Sequence, residues 1–241
     1  MGPLNVGELV VVTITLARGA EEEALIARAL QNASGAGFSI IASDGGSRPE
    51  FVERIRSIPR ATVVVSPAAG LVAQIKHALA AAVDRAADWI LYTEPDKDVF
   101  LEEHAMHLIE AAARDADAVW VAARTSRALA TFPKIQQFTE QTINTLTSDA
   151  VGVPGDYSYG PMILPSRAAT YALEAPDRLG WGWRHFVLAR ARRAGIPIAL
   201  HTGDYECPVT QRQETDAERI HRIKQLTQNL DGLIEGLMWS P

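Results

Sequence analysis

The chain is 241 residues long and has a single cysteine, Cys207, so no disulfide can form within it, which fits a reducing compartment. It also lacks an excess of positive charge. The formal net charge is -6 and the 23 basic residues are scattered, whereas a general nucleic-acid binder neutralises phosphates with clustered Lys and Arg. No nucleic-acid partner is expected. There is no apolar run long enough to span a bilayer: the N-terminal stretch "MGPLNVGELVVVTITLARG" is short, rich in Thr and without a basic region ahead of it, so no stable membrane insertion is expected and a cytoplasmic location is the default. Internal repeats, low-complexity tracts and long Gly/Ser/Pro linkers are missing too, and the expectation is a single domain over 1–241. Among chemical motifs, a P-loop, a nucleophile elbow, HExxH, paired CxxC and a GxGxxG after the first strand are all absent.

What is present is an alternation. Short β-branched runs at 8–16, 38–43, 61–66, 88–93 and 117–123 read as strands, and the segments 21–33, 49–58, 71–86 and 101–115 between them read as helices. Strands separated by crossover helices form a mostly parallel sheet covered on both faces, an α/β fold. After about residue 124 the pattern loosens: 132–150 reads as a helix, "YGPMILP" (159–165) as an isolated strand, 182–195 as a helix and 196–202 as a late strand. The tail opens on Thr215, Asp216, Ala217 and Glu218, a capping box, and carries Ile220, Ile223, Leu226, Leu230, Leu233, Ile234 and Leu237 at spacings of three and four. This predicts an amphipathic helix over about 213–238. Its stripe packs on its own domain or forms a homodimer contact.

In such sheets ligands bind at the carboxyl ends of the strands. After the second strand comes "SDGGSRPE", where Gly45 and Gly46 allow close backbone approach and Asp44 can accept hydrogen bonds from a base or ribose; the alternative is a plain turn before the helix near Pro49. After the fourth strand comes "TEPDKD". Glu94 and Asp96 flank Pro95, and hard cations such as Mg²⁺ or Mn²⁺ take one or two carboxylates, with water and phosphate completing the shell. Carboxylates this close repel, so a cation or proton is expected between them. Asp98, Glu102 and Glu103 are read instead as charges at the start of the next helix.

A strand, "SDGGS", a further strand and helix, then "ILYTEPD" together resemble the nucleotide-sugar-binding half of GT-A-fold glycosyltransferases, family 2-like members especially. The resemblance covers roughly 8–205, with a nucleotide-sugar half at about 1–124 and an acceptor half at about 125–205. It implies a nucleotide contact at Asp44, an ExD signature at Glu94 and Asp96 with Asp96 as metal ligand, Mn²⁺ or Mg²⁺ as cofactor, and a nucleotide sugar and a hydroxyl acceptor as partners. It places Lys76 near the diphosphate, and Tyr159 and Gly160 of "GDYSYGPMILPSRAA" around the acceptor. "GWGWRHFVLARARRAG" is similar to a segment that lies over the acceptor and usually carries a catalytic carboxylate. Here Arg184 and His185 stand in place of the acidic pair, with Trp183 beside them as a stacking candidate, so the sequence leaves inversion against retention open. Some retaining GT-A enzymes, mannosylglycerate and glucosyl-phosphoglycerate synthases among them, hold the metal with a histidine after the late strand; His201 occupies a comparable place.

The function expected is metal-assisted sugar transfer. Two rivals remain at this level. A sugar-phosphate nucleotidyltransferase shares the sheet but usually has a Gly-rich basic loop where this chain has "ARGAEEEA"; a noncatalytic binding or scaffold protein would explain the missing acidic pair.

Overall fold

The computed structural model describes residues 9–66 and 68–239, so the N-terminal segment 1–8 read above lies outside the described residues. Strand β1 (Leu9–Thr15) is followed by α1 (Ala20–Gly35), β2 (Ser39–Asp44), α2 (Pro49–Arg56), β3 (Ala61–Val65), α3 (Leu71–Asp84) and β4 (Trp89–Tyr92). A π turn, Phe100–His104, leads into α4 (Ala105–Ala112), then β5 (Val119–Arg124), the short α5 (Ser126–Leu129) and α6 (Lys134–Val151). The chain continues through β6 (Met162–Pro165), α7 (Ser166–Leu173), a 3₁₀ turn at Asp177–Gly182, α8 (Trp183–Arg193), β7 (Ile198–Gly203) and α9 (Asp216–Met238).

Among the described residues, seven strands join one sheet in the order β3-β2-β1-β4-β6-β5-β7. Every pairing is parallel except those of β6, which runs antiparallel between β4 and β5. The segment expected as an isolated strand therefore sits inside the sheet. Its four residues are all buried, as a strand covered on both faces must be.

Alternation of side chains sorts the strands into two cores. Val12, Ile41, Ile90, Tyr92, Met162 and Leu164 face α3, α7 and α8. Val11, Ile40, Leu91 and Ile163 face α1, α2 and α4. Each fully buried Val, Leu or Ile contributes roughly 1.5–3 kcal/mol, so a one-residue slip of any central strand would exchange both faces at large cost.

Helix α9 begins as the capping box predicts, with the Thr215 hydroxyl accepting from the Glu218 N–H at 3.1 Å. It lies on α8, α6 and the 3₁₀ turn at a separation only glycine permits: a Cβ on Gly232 would stand 2.0 Å from the Gly182 carbonyl oxygen. Leu226, Leu230 and Leu233 pack inward, while Ile220, Ile223 and Ile234 stay exposed because the apolar stripe is wider than the contact. No described helix is long and apolar enough to cross a membrane.

Candidate functional site

Strand order reverses between β1 and β4, since β2 and β3 lie on one side of β1 and the later strands on the other. Loops leaving the two strands must diverge there, which opens a crevice. A cleft of about 870 Å³ lies at this point. One wall is built from Thr15, Gly45, Gly70 and Gln74, the floor from Glu94, Asp96 and Lys97, and the far wall from Ser158, Tyr159, Trp181 and Arg184. A smaller hollow of about 340 Å³ adjoins it, with Asp96, Lys97, Phe132 and Tyr159 shared between the two.

The first wall is set by Asp44. Its carboxylate accepts from the Thr15 hydroxyl and from the Gly46 and Ser47 N–H groups, each at 2.9 Å. Those bonds hold the turn and bury Asp44, leaving Gly45 as the residue that faces the cleft. Asp44 is thus placed to shape the turn, and it is not among the lining residues. The N-terminus of α3 opens onto the same wall through Ala69, Gly70 and Leu71. Free N–H groups at a helix start favour an anion. The Gly that ends "SPAAG" before an apolar helical run is the sequence signal for this feature, which the reading above passed over.

On the floor, Glu94 and Asp96 have different surroundings. Arg184 reaches from the start of α8 and donates from Nη1 to Glu94 Oε1 at 3.1 Å, both side chains being almost fully buried. Burial raises the Glu94 carboxyl above the usual range, and Arg184 and Lys97 pull it back. The Asp96 side chain keeps 43% of its surface exposed, with Lys97 Nζ at 3.8 Å. Lys97 also stands 5.3 Å above the Tyr159 ring. The cation expected between the carboxylates is therefore supplied in part by the protein. Gly160 closes the arrangement at φ 128°, where a Cβ would sit 2.2 Å from Glu94 Oε2 and 2.9 Å from Arg184 Nη1. A side chain at 160 and the Glu94–Arg184 pair exclude one another.

Behind the far wall lies a second buried cluster that the sequence reading missed. Arg124, at the end of β5, donates from Nε to Asp156 at 2.6 Å and from Nη2 to Glu140 at 2.6 Å. Asn144 donates to Asp156 at 2.7 Å and accepts from the Tyr157 N–H and the Ser158 hydroxyl, both at 2.8 Å. Burial works against the charge on Asp156, but the ion pair and hydrogen bonds from Arg124 hold its carboxyl below the usual range. This network fixes 156–160, and with it Tyr159 and Gly160. A lone Arg at a strand end and an Asp in a Gly/Tyr turn were the only signals available.

Besides Asp44, four more of the expected site residues lie outside the cleft lining. Lys76 is two positions beyond Gln74 on α3 and so on another side of the helix; its ammonium donates to Asp177 at 2.8 Å and does not line the cleft. His185 follows Arg184 by one position, which turns it toward α6. Its ring is fully buried against the Thr147 hydroxyl at 3.0 Å, and burial pushes it down to about 3. Trp183 is a core residue, edge-on to Tyr92 at 4.8 Å, while Trp181 is the indole that lines the cleft. His201 falls inside β7, its ring paired with the Tyr205 hydroxyl at 2.8 Å, and burial together with His107 and His104 keeps it from protonating easily. It is not among the lining residues.

No group of three or more His, Cys, Asp or Glu side chains able to hold a metal ion occurs among the described residues. A closed, protein-only cage is thus not built here. One open carboxylate in a cleft that a helix N-terminus also lines suits the other kind of hard-cation site, where phosphate and water complete the shell, and Asp96 is such a carboxylate.

The fold defined by this sheet and its helices is the GT-A type. No protein-family profile matches the sequence, and no curated protein matches it. Solved structures do match. Glucosyl-3-phosphoglycerate synthase from Mycobacterium tuberculosis, in complex with Mn²⁺, uridine diphosphate and phosphoglyceric acid, aligns over 97% of this chain and 79% of its own at a TM-score of 0.68 and 14% identity. The same enzyme with Mg²⁺ and uridine diphosphate gives 0.66 at 14% identity, covering 97% of this chain and 80% of that one. A structure described as a mycobacterial protein gives 0.69 at 16%, covering 97% and 76%. At such identities the likeness establishes the fold.

Proposed function

We propose that this cleft transfers a sugar from a nucleoside-diphosphate donor to an acceptor hydroxyl with the help of a divalent cation. The observation that carries the reading is the open carboxylate of Asp96 at the switch point of the sheet, in the same cleft as the Gly45 turn and the N-terminus of α3. A diphosphate needs N–H donors and positive charge, and the start of α3 and Lys97 provide them. Asp96 would hold Mn²⁺ or Mg²⁺. When bound, such an ion stabilises negative charge on the departing diphosphate as a Lewis acid.

The chain's own groups do the rest. Asp44 holds the turn that carries Gly45, whose own N–H donates to the Thr15 carbonyl at 2.8 Å, and Lys97 adds a positive charge near the leaving group. Trp181 and Tyr159 line the far wall, where a sugar ring or acceptor can lie against them while Ser158 Oγ, its proton given to Asn144, can accept a hydrogen bond. The solved neighbours that hold uridine diphosphate with Mn²⁺ or Mg²⁺ support the reading, as does the one with UDP-glucose and phosphoglyceric acid. Donor base, sugar and acceptor are assigned by experiment, not by likeness.

A thermal-shift screen of UDP- and GDP-sugars with and without Mn²⁺ tests it. A ligand at about 100 times its Kd adds about 2.7 kcal/mol of apparent stability, so a true donor raises Tm in a concentration-dependent way, and more with Mn²⁺. If no nucleotide sugar moves Tm in either condition, the reading fails. Pyrophosphate release from a nucleoside triphosphate and a sugar phosphate would identify a nucleotidyltransferase instead. The anomeric configuration of the product, read by NMR, decides inversion against retention.

A further inference from the structure

We infer that Arg184 withholds one of the two acidic side chains from metal binding, so that the site captures a divalent cation only together with the diphosphate of its nucleotide. The inference rests on the transfer reading above in one respect: it takes Asp96 as the residue that holds the ion.

Two carboxylates two residues apart at a strand end would, by themselves, make a two-ligand site for a hard cation. Here they are not equivalent. Glu94 is 8% exposed, and its Oε1 is occupied by the Arg184 guanidinium at 3.1 Å. Its Oε2 is sealed from solvent with no hydrogen-bond partner, and the Gly160 backbone closes over it so tightly that a single added carbon would lie 2.2 Å away. An ion reaching Glu94 would have to displace a guanidinium whose own side chain is 3% exposed and which stands 5.7 Å from the Trp181 ring. A second cation placed beside that buried positive charge is repelled in a medium that screens poorly.

Asp96 is the opposite case. Its carboxylate is open, and the nearest ammonium, Lys97 Nζ at 3.8 Å, lies beyond hydrogen-bond distance. Without nucleotide the protein therefore offers a cation one carboxylate, opposed by the Lys97 ammonium. With a diphosphate in the cleft the missing oxygen ligands arrive and the surplus positive charge of Lys97 is matched. Coupling of this kind is reciprocal: the ion tightens the nucleotide by the same factor as the nucleotide tightens the ion. The guanidinium at 184 thereby makes ion and donor bind as a unit.

Mn²⁺ titrations read by the loss of the free-ion electron paramagnetic resonance signal, alone and with UDP or GDP, test this. Wild type is expected to bind Mn²⁺ at least about tenfold more tightly with a nucleoside diphosphate than without. In the absence of nucleotide, Glu94→Gln stays within about twofold of wild type, whereas Asp96→Asn weakens binding roughly tenfold or more. Arg184→Gln frees Glu94 and raises nucleotide-free Mn²⁺ affinity about tenfold, and adding Glu94→Gln to it cancels the rise. The inference is overturned if Glu94→Gln weakens nucleotide-free binding as much as Asp96→Asn does, or if folded Arg184→Gln shows no gain. Should Arg184→Gln not fold, the comparison of Glu94→Gln with Asp96→Asn decides alone, because both keep Arg184. Tight Mn²⁺ binding by wild type without nucleotide overturns this inference and leaves the transfer reading standing; no Mn²⁺ binding with any nucleoside diphosphate overturns both.

Discussion

Arg124 and Arg184 are both buried arginines beside the same cleft, each paired with carboxylates, yet their surroundings differ in completeness. Around Arg124, both oxygens of Asp156 and both of Glu140 have partners, and Asn144 ties the acceptor-side turn into the same network. Each arginine leaves one guanidinium nitrogen unpartnered, Nη1 of Arg124 and Nε of Arg184, but beside Arg184 the Glu94 Oε2, the Tyr92 hydroxyl and Trp183 Nε1 are unpartnered too. Native structures seldom leave buried polar atoms unpaired without a reason. The contrast separates a cluster that holds shape from one that sits under a ligand: in the first every carboxylate oxygen is partnered by the protein, and the second retains more polar capacity next to the cleft.

Breaking the Arg124 cluster has the largest expected effect. Arg124→Met leaves Asp156 and Glu140 buried without their cation, which costs about 3–5 kcal/mol by the usual measure for a broken buried pair. Urea unfolding should show the loss as a lower midpoint with an unchanged m-value; a change under 1 kcal/mol would mean the network is no stronger than a surface pair. Asp96→Ala comes next and should act the other way, on function with little effect on stability, since the side chain is half exposed. Removing it should lower kcat about a hundred- to a thousandfold with the donor found in the screen, the equivalent of about 3–4 kcal/mol in the transition state. Full turnover with unchanged Mn²⁺ dependence would remove Asp96 from the site.

The contrast also explains what could be read from the sequence. The strands and helices through β5 declare themselves by local periodicity, because the strands are short, largely apolar runs and the helices between them carry apolar residues at spacings of three and four. The place of β6 is not local: pairing of Met162–Pro165 with β4 and β5 depends on partners tens of residues away. The acidic motif at 94–96 was legible as a motif, but the fate of Glu94 was not, because its cation comes from 90 positions further along. The same limit applies to Asp156 and Arg124. For Lys76, His185 and Trp183, a shift of one or two positions on a helix decides between cleft, core and surface, and the motif alone does not resolve that angle.

Gly160 links the two clusters and gives a smaller effect. The Arg124 network fixes the turn that carries it, and its φ of 128° with a Cβ position 2.2 Å from Glu94 Oε2 leaves no room for alanine. Gly160→Ala should cost about 2 kcal/mol from backbone strain and displacement of the Glu94–Arg184 pair. If thermal unfolding shows no change, the contact between the turn and the pair is looser than the geometry indicates.

Lys76 should have the smallest effect, and it bears on the comparison because it is a cation outside both clusters. Its partner Asp177 has 63% of its side chain exposed, and Lys76 itself has 29%, so solvent and salt screen the pair and its worth is below about 1 kcal/mol. The ammonium is turned away from the cleft on α3, whereas Lys97 lines it. Lys76→Ala should therefore leave kcat and the Km for donor within about twofold of wild type, while Lys97→Ala lowers kcat by tenfold or more, as loss of a charge next to the leaving group would. If instead Lys76→Ala is the more damaging of the two, its ion pair with Asp177 must open when donor binds, and α3 would have to present a different face to the diphosphate from the one seen here.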